Sequence, residues 1–346
     1  MSDMSHNSRV LVMTLADGLA WQVVRSLFLS GVKPYVMGQL PGSILSRASE
    51  CRGYFCFRDI RRDSRGILDV SNMDQVIRLA EELNVDTIMA ADLSANWMLS
   101  QWVAKEGSNH IAVATPTPDL IINLHDKWKL TSILSDLNLP YPESELAESE
   151  EEVLNTKLEF PIITKPLDMA SSTGVQLHHS HEELIATVED GRLFKSMPLL
   201  VQRYIPGEDI GFSFFADNGK ILASALCRQM CRGVRQYFSD NRMNQLIEKL
   251  LLSTGYSGVG HIDARYDPDV DEYRILEVNP RFWASVLYAT RAGLNFPSYL
   301  LRHKYGESLP LPVLKTAPIN MSFYERVVAC AVRGAEMHYF ARGIVC

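Results

Sequence analysis

Residues 258–282 read GVGHIDARYDPDVDEYRILEVNPRF, and this stretch decides the fold. Its two halves alternate as β-strands around an acidic turn at Asp267, Pro268, Asp269 and Val270, which predicts a hairpin. Glu277 and Asn279 lie two residues apart, so their side chains leave one face, and the turn folds Glu277 back opposite Asp263. The other face carries Ile262, Ala264, Leu276 and Val278, which suit a core. Hard oxygen donors gathered on one buried face repel each other without a cation. Mg²⁺, which takes a few carboxylates and completes its shell with phosphates and water, fits that need. The plain alternative is an amphipathic hairpin with a solvated polar face.

Outward from the hairpin, residues 165–175 form a second element. Lys165 closes a strand (160–165), a loop of small residues (166–174) follows, and a strand returns at 175–179. Backbone N–H groups of Ser171, Ser172 and Thr173 are placed to donate to phosphate oxygens, with Lys165 supplying charge. The lysine precedes the small residues and no helix follows directly, which excludes a Walker A loop. A Ser-rich hairpin turn is the bland reading. The third element, Gln202-Arg203-Tyr204-Ile205-Pro206-Gly207-Glu208-Asp209, is an apolar strand (199–205) that turns at Pro-Gly. Its backbone offers hydrogen bonds to an adenine edge, and an acid beyond the turn suits ribose hydroxyls. Alone it reads equally well as a strand exit.

The first 116 residues alternate strands (9–13, 33–37, 87–90, 111–114) with helices (18–30, 71–83, 96–105), a small doubly wound α/β unit. No G-x-G-x-x-G follows the first strand, so no dinucleotide is assigned. The loops at 14–18 and 92–96 lie at strand carboxyl ends, where such sheets bind ligands; Asp92 and Ser94 are candidates for substrate contact, with solvated loop residues as the plain reading. Further on, helices are expected at 126–137, 180–190, 241–253, 283–292 and 324–335, and strands at 212–216 and 221–227.

In this order the elements resemble the ATP-grasp superfamily, carboxylate–amine ligases such as D-alanine–D-alanine ligases and carbamoyl-phosphate-synthase-like ATP-binding domains, over residues 123–299. The resemblance implies an α/β chain with a Rossmann-like pre-ATP-grasp domain (1–116). A two-subdomain α+β ATP-grasp domain (117–205 and 206–315) and a helical tail (316–346) follow. By motif match, Lys127 and Lys165 are the phosphate-binding lysines, and Ser171, Ser172, Thr173 and Gly174 the phosphate lid. Gln202, Arg203, Tyr204 and Ile205 match the adenine hinge, with Glu208 or Asp209 the ribose acid. Asp263, Glu277 and Asn279 match the ligands of one or two Mg²⁺ ions, with Mn²⁺ as a substitute, and Arg281 matches an arginine against the transferred phosphate. His261 stands where D-alanine ligases carry an arginine, so the oxyanion role passes to His261, to Arg281, or to one of Arg228, Arg232 and Arg235. That basic cluster is also a candidate for a substrate carboxylate.

The implied activity is ATP-dependent joining of a carboxylate to an amine through an acyl phosphate, with amino acids or small peptides as small-molecule partners and a homodimer as a common assembly. The rivals are a phosphotransferase of the same fold acting on a hydroxyl and a non-catalytic nucleotide-binding protein. A net charge of −7 supplies no basic field for nucleic acid or an anionic membrane. Six cysteines and a polar start without an apolar leader fit free thiols and a cytoplasmic setting. The pairs Cys51/Cys56 and Cys227/Cys231 lack zinc-site spacing.

Overall fold

The computed structural model describes residues 8–62, 68–107, 110–169, 173–195, 197–310 and 313–341. The chain opens with β1 (Val10–Met13), α1 (Asp17–Phe28), β2 (Tyr35–Gly38), β3 (Gly53–Cys56), α2 (Met73–Glu82), β4 (Thr87–Ala90) and α3 (Leu93–Glu106). These strands form a parallel sheet in the order β3-β2-β1-β4. β1 and β4 are buried on both faces, as a sheet covered by helices on each side requires. Two expectations change here. β3 is an additional strand, and residues 111–114 make only a single parallel bridge, Ala112 to Ile88, beside β4.

Next come α4 (Pro118–His125), α5 (Lys127–Asp136), β5 (Ser144–Ala147), α6 (Glu150–Leu154), β6 (Ile162–Pro166), β7 (Gln176–His178), α7 (His181–Glu189) and β8 (Leu199–Arg203). Strands β5-β8-β6-β7 form an antiparallel sheet over a small core of Ile162, Leu184, Leu199 and Val201. Helices α4 and α5 do not join that core. Their Leu124, Leu130 and Leu134 pack with the sheet that follows.

That sheet is built from β9 (Glu208–Asp217), β10 (Lys220–Cys231), β11 (Val234–Phe238), β12 (Gly258–Asp267) and β13 (Glu272–Asn279), with α8 (Asn241–Thr254) between β11 and β12. After α9 (Val286–Arg291) and α10 (Phe296–Lys304), β14 (Ile319–Asn320) covers its edge, and α11 (Phe323–Ala341) ends the described chain. The order is β13-β12-β9-β10-β11-β14. One face packs Phe212 and Ile262 against Leu250 of α8. Beyond it, Trp21 and Val24 of α1 share a core with Leu287 and Phe296, so the N-terminal sheet is fixed to the large one. The helix expected over 283–292 is shorter, because residues 283–285 turn before α9 begins.

The 258–282 hairpin forms with one departure. Asp263 faces Glu277, but Ala264 faces Ile275, a β-bulge that leaves Leu276 as the extra residue. Ile275 therefore fills the core position expected of Leu276, and Leu276 lines the cleft instead.

Gly207, in the turn between β8 and β9, sits where a Cβ would fall 1.4 Å from the Tyr266 carbonyl oxygen, whereas Gly191, at φ +63°, has open space. Gly207→Ala is expected to cost about 3 kcal/mol through overpacking against backbone. Gly191→Ala should cost about 1 kcal/mol, from its left-handed conformation alone. Urea midpoints of the two variants, compared with the parent, check this; equal shifts would refute the packing account.

Candidate active site

A cleft of about 1310 Å³ is lined by residues of the two antiparallel sheets and by loop and helix residues of the N-terminal unit. Its acidic end is the hairpin. Asp263 and Glu277 oppose each other in register, and Asn279 opposes the neighbouring His261. Asn279 Nδ2 donates to Asp263 Oδ2 at 3.0 Å, while its Oδ1 accepts from Arg281 Nη2 at 2.8 Å. Arg281 also donates to the Phe282 carbonyl at 2.7 Å. Lys127 Nζ lies 3.6 Å from Glu277 Oε2. Burial pushes the Asp263 carboxyl up, but the His261 hydrogen bond and the charges of His261, Arg281 and Arg235 overcome it and hold the group below the usual carboxylate range. Burial likewise draws Arg281 down from its ordinary value, against the pull of Glu277, Asp92 and Asp263.

This donor set suits a hard cation that keeps outside ligands. Among the described residues no group of three or more His, Cys, Asp or Glu is placed to hold a metal. The chain offers two carboxylates and one amide oxygen, so an ion here would complete its shell with water and phosphate, the habit of Mg²⁺.

His261 is not free to act as an isolated electrophile. Its Nδ1 meets Ser213 Oγ at 3.1 Å, its Nε2 lies 3.4 Å from Asp263 Oδ1, and its ring stacks on Trp283 at 5.1 Å and 13°. It buttresses Asp263.

Lys165, at the end of β6, is buried and donates to Gln202 Oε1 at 2.8 Å. Gln202 in turn donates to Ser144 Oγ at 2.8 Å, so its side chain ties the lysine to β5. Burial, then the charge of Lys127, pull the Lys165 ammonium down to about 8. Lys127 opens α5, which Asp126 caps through the N–H groups of Trp128 and Lys129. Its ammonium donates to the carbonyls of Met169 at 2.7 Å and Leu167 at 3.3 Å, and His125 Nε2 lies 3.0 Å from the Asp168 carbonyl. Residues 125–127 thus hold the start of the small-residue loop. Burial and the charges of Lys127 and Arg281 push His125 down to about 4. Thr173 lines the cleft, and Gly174 adopts φ +73° beside Phe194. Ser171 and Ser172 lie outside the described residues.

At the hinge, the N–H groups of Arg203 and Tyr204 donate to Glu143 and Pro161 carbonyls. Arg265, absent from the sequence-based set, organises this end. It stacks 4.8 Å over the Tyr204 ring, donates to the Ile205 carbonyl at 2.7 Å and pairs with Asp209 at 2.8 Å. Its signal was present, since Arg265 follows Asp263 at the strand period of two. Glu208 also lines the cleft and pairs with Arg228 at 3.4 Å.

The basic cluster divides. Arg228 does not reach the acidic end, because it is engaged by Gln236 and Glu208 and stacks on Phe238. Arg232 is exposed in the turn between β10 and β11. Arg235 lines the cleft with Cys227 and Gln229. Above them lie Leu15, Ala16, Gly18, Leu19, Leu93 and Ser94 of the N-terminal unit. Asp92, buried rather than solvated, accepts from Thr14 Oγ1 and the Leu15 N–H at 2.8 and 2.6 Å.

Residues 124–285 match the ATP-grasp domain family model. A D-aspartate ligase from Enterococcus faecium is 25% identical over 212 residues, covering 52% of this chain; the chain spans 50% of that relative's length. Among solved structures, the biotin carboxylase domain of a Hydrogenobacter thermophilus 2-oxoglutarate carboxylase, in complex with MgADP and bicarbonate, superposes with TM-score 0.66. It shares 17% identity and covers 88% of this chain and 71% of its own. An L-amino acid ligase from Bacillus licheniformis superposes with TM-score 0.63 at 16% identity, over 87% and 75%.

Lys165 supplies a pH signature. Its ammonium loses its proton near 8 in the folded chain and near its ordinary 10.5 when unfolded, so between those values the unfolded state binds more protons and stability rises with pH. Relative to Lys165→Met, the parent should gain on the order of 3 kcal/mol across that window. Chemical denaturation at pH steps through it measures the difference, and parallel curves would refute the buried-lysine account.

Proposed function

Residues 124–285 are an ATP-grasp domain, and from that premise we propose that the chain is an ATP-dependent carboxylate–amine ligase. The observation that carries this is the convergence of Asp263, Glu277, Asn279, Lys127, Lys165 and Arg281 at one end of a single cleft. In this reading residues 1–116 form the pre-ATP-grasp domain, 117–205 the lid subdomain, 206–315 the metal-bearing subdomain and 316–346 a tail.

The adenine lies at Arg203–Ile205 with Glu208 or Asp209 toward the ribose, and the phosphates run toward Lys165 and Lys127. Mg²⁺ held by Asp263, Glu277 and Asn279 neutralises phosphate charge when bound. The carboxylate substrate attacks the γ-phosphorus, forming a C–O–P linkage as the bond to ADP breaks. An amine then attacks the carbonyl carbon, expelling phosphate and losing a proton. The chain's own groups position and screen. Lys127 and Lys165 offset phosphate charge that repels the incoming carboxylate, and Arg281 donates to the transferred group. Gln202 fixes Lys165, and His261 and Arg281 fix Asp263 and Asn279. The loop through Thr173 and Gly174 shields the intermediate from water.

The test is ADP release from Mg²⁺-ATP with pooled amino acids and small carboxylic acids, with and without hydroxylamine. A hydroxamate should form with the intact chain, and Glu277→Ala and Lys165→Ala should each lower turnover at least ~100-fold while leaving the melting transition cooperative. Turnover retained in Glu277→Ala would refute the assignment. ADP release without hydroxamate would favour a hydroxyl acceptor.

A further inference from the structure

We propose that Arg265 is a positioning residue for the nucleoside half of the nucleotide, acting through the Ile205 backbone and the Asp209 carboxylate. This rests on the nucleotide-binding reading of the cleft and deepens it.

The joint between two sheets carries the argument. The β5–β8 sheet packs a core of its own and joins the large sheet through residues 137–143 and 204–207. The first connection is tied down by a backbone bond, from the Ile275 N–H to the Pro140 carbonyl at 3.0 Å. At the second, the Ile205–Pro206 peptide lacks an N–H, so a carbonyl is all it can offer. Arg265 donates to that carbonyl at 2.7 Å, lies 4.8 Å over the Tyr204 ring and pairs with Asp209 at 2.8 Å. One planar guanidinium thus fixes both sides of the turn to β12.

The register sets this guanidinium at the sugar and base end. Arg265 faces Asp209, and Asp263, two residues back, faces Gly211, so Arg265, Asp209 and Asp263 share the cleft face. Arg265 stands one strand period from Asp263, on the order of 7 Å toward the hinge. Glu208, by contrast, faces Tyr266 and pairs with Arg228. A nucleotide whose phosphates sit among Lys127, Lys165 and the acid pair therefore extends its nucleoside along the row that Arg265 braces.

Two observations tie the brace to a ligand. The N–H groups of Arg203 and Tyr204 are taken by the Glu143 and Pro161 carbonyls, whereas the N–H of Ile205, a buried residue lining the cleft, meets no acceptor among the described residues. Buried backbone donors are rarely left so, and a ring nitrogen of a base supplies the missing acceptor. Asp209 is 80% exposed, a setting in which an ion pair adds little stability, so the pairing with Arg265 serves to orient its carboxylate. Held on the cleft face, that carboxylate accepts from sugar hydroxyls.

The experiment is a thermal-shift titration of the full chain with MgADP and, separately, with magnesium pyrophosphate, which occupies the phosphate end alone. Arg265→Met should weaken MgADP about tenfold or more and leave pyrophosphate within about twofold, with Arg265→Lys intermediate for MgADP. The proposal is overturned if Arg265→Met binds MgADP like the parent, or if both ligands weaken alike, the mark of a merely structural arginine. Should Arg265→Met lose its cooperative melting transition, Arg265→Lys carries the same contrast between the two ligands. A parent that binds neither ligand, or an MgADP affinity unchanged in Lys165→Ala and Glu277→Ala, would instead sink the nucleotide reading and this inference with it.

Discussion

Two carboxylates held face to face across a β-hairpin are the constraint around which this cleft is arranged. At a few ångströms their repulsion amounts to some kcal/mol at the effective dielectric of a protein cleft. The chain answers with cations from separate segments: Lys127 from the start of α5, Arg281 from just beyond β13, and Arg235 from β11. The amide of Asn279 joins Asp263 to Arg281, so the acid and the base hold each other's orientation. Each of these groups is stabilised by an opposite charge or a hydrogen bond from another member of the set.

That mutual dependence explains why distant parts of the chain are tied to the hairpin. Asn96 on α3 donates to the Pro280 carbonyl at 2.8 Å, so the N-terminal unit grips the backbone next to Arg281. The α1 helix, whose Gly18, Leu19 and Gln22 line the cleft, packs Trp21 and Val24 into one core with α9 and α10. Its Arg25, with Arg291 of α9, pairs with the fully buried Glu325 of α11. The roof and the floor of the cleft are therefore parts of one packed body, whereas the β5–β8 sheet keeps a small core of its own.

The hairpin and the glycine-bounded loop were legible because strand period and turn residues are local signals. The bulge at Leu276 was not, since it depends on how β12 seats against β9. β11 was hidden for a related reason. In Val234-Arg235-Gln236-Tyr237-Phe238 the two polar residues are adjacent, Arg235 lining the cleft and Gln236 bonding Arg228 from the other face, so the segment lacks the alternation that marks a strand. α4 and α10 carried usable signals that went unread: Thr117-Pro118 caps one, and Asn295 with Pro297 opens the other. The roles of Gln202 and Arg265 come from pairings across the fold, which spacing along the chain does not encode.

Lys165 shows why such pairings matter for chemistry. Burial pulls its ammonium toward neutrality, and Lys127 adds to that pull, while Glu277, Asp263 and the Gln202 amide oxygen oppose it. A cation poised in this way is stabilised by whatever negative charge enters beside it, so an incoming polyphosphate and the lysine's proton each favour the other. The same lysine solvated at the surface would already be fully charged and would respond far less. Placing it at the end of a buried strand, with one neutral acceptor, turns its desolvation into selectivity for an anion.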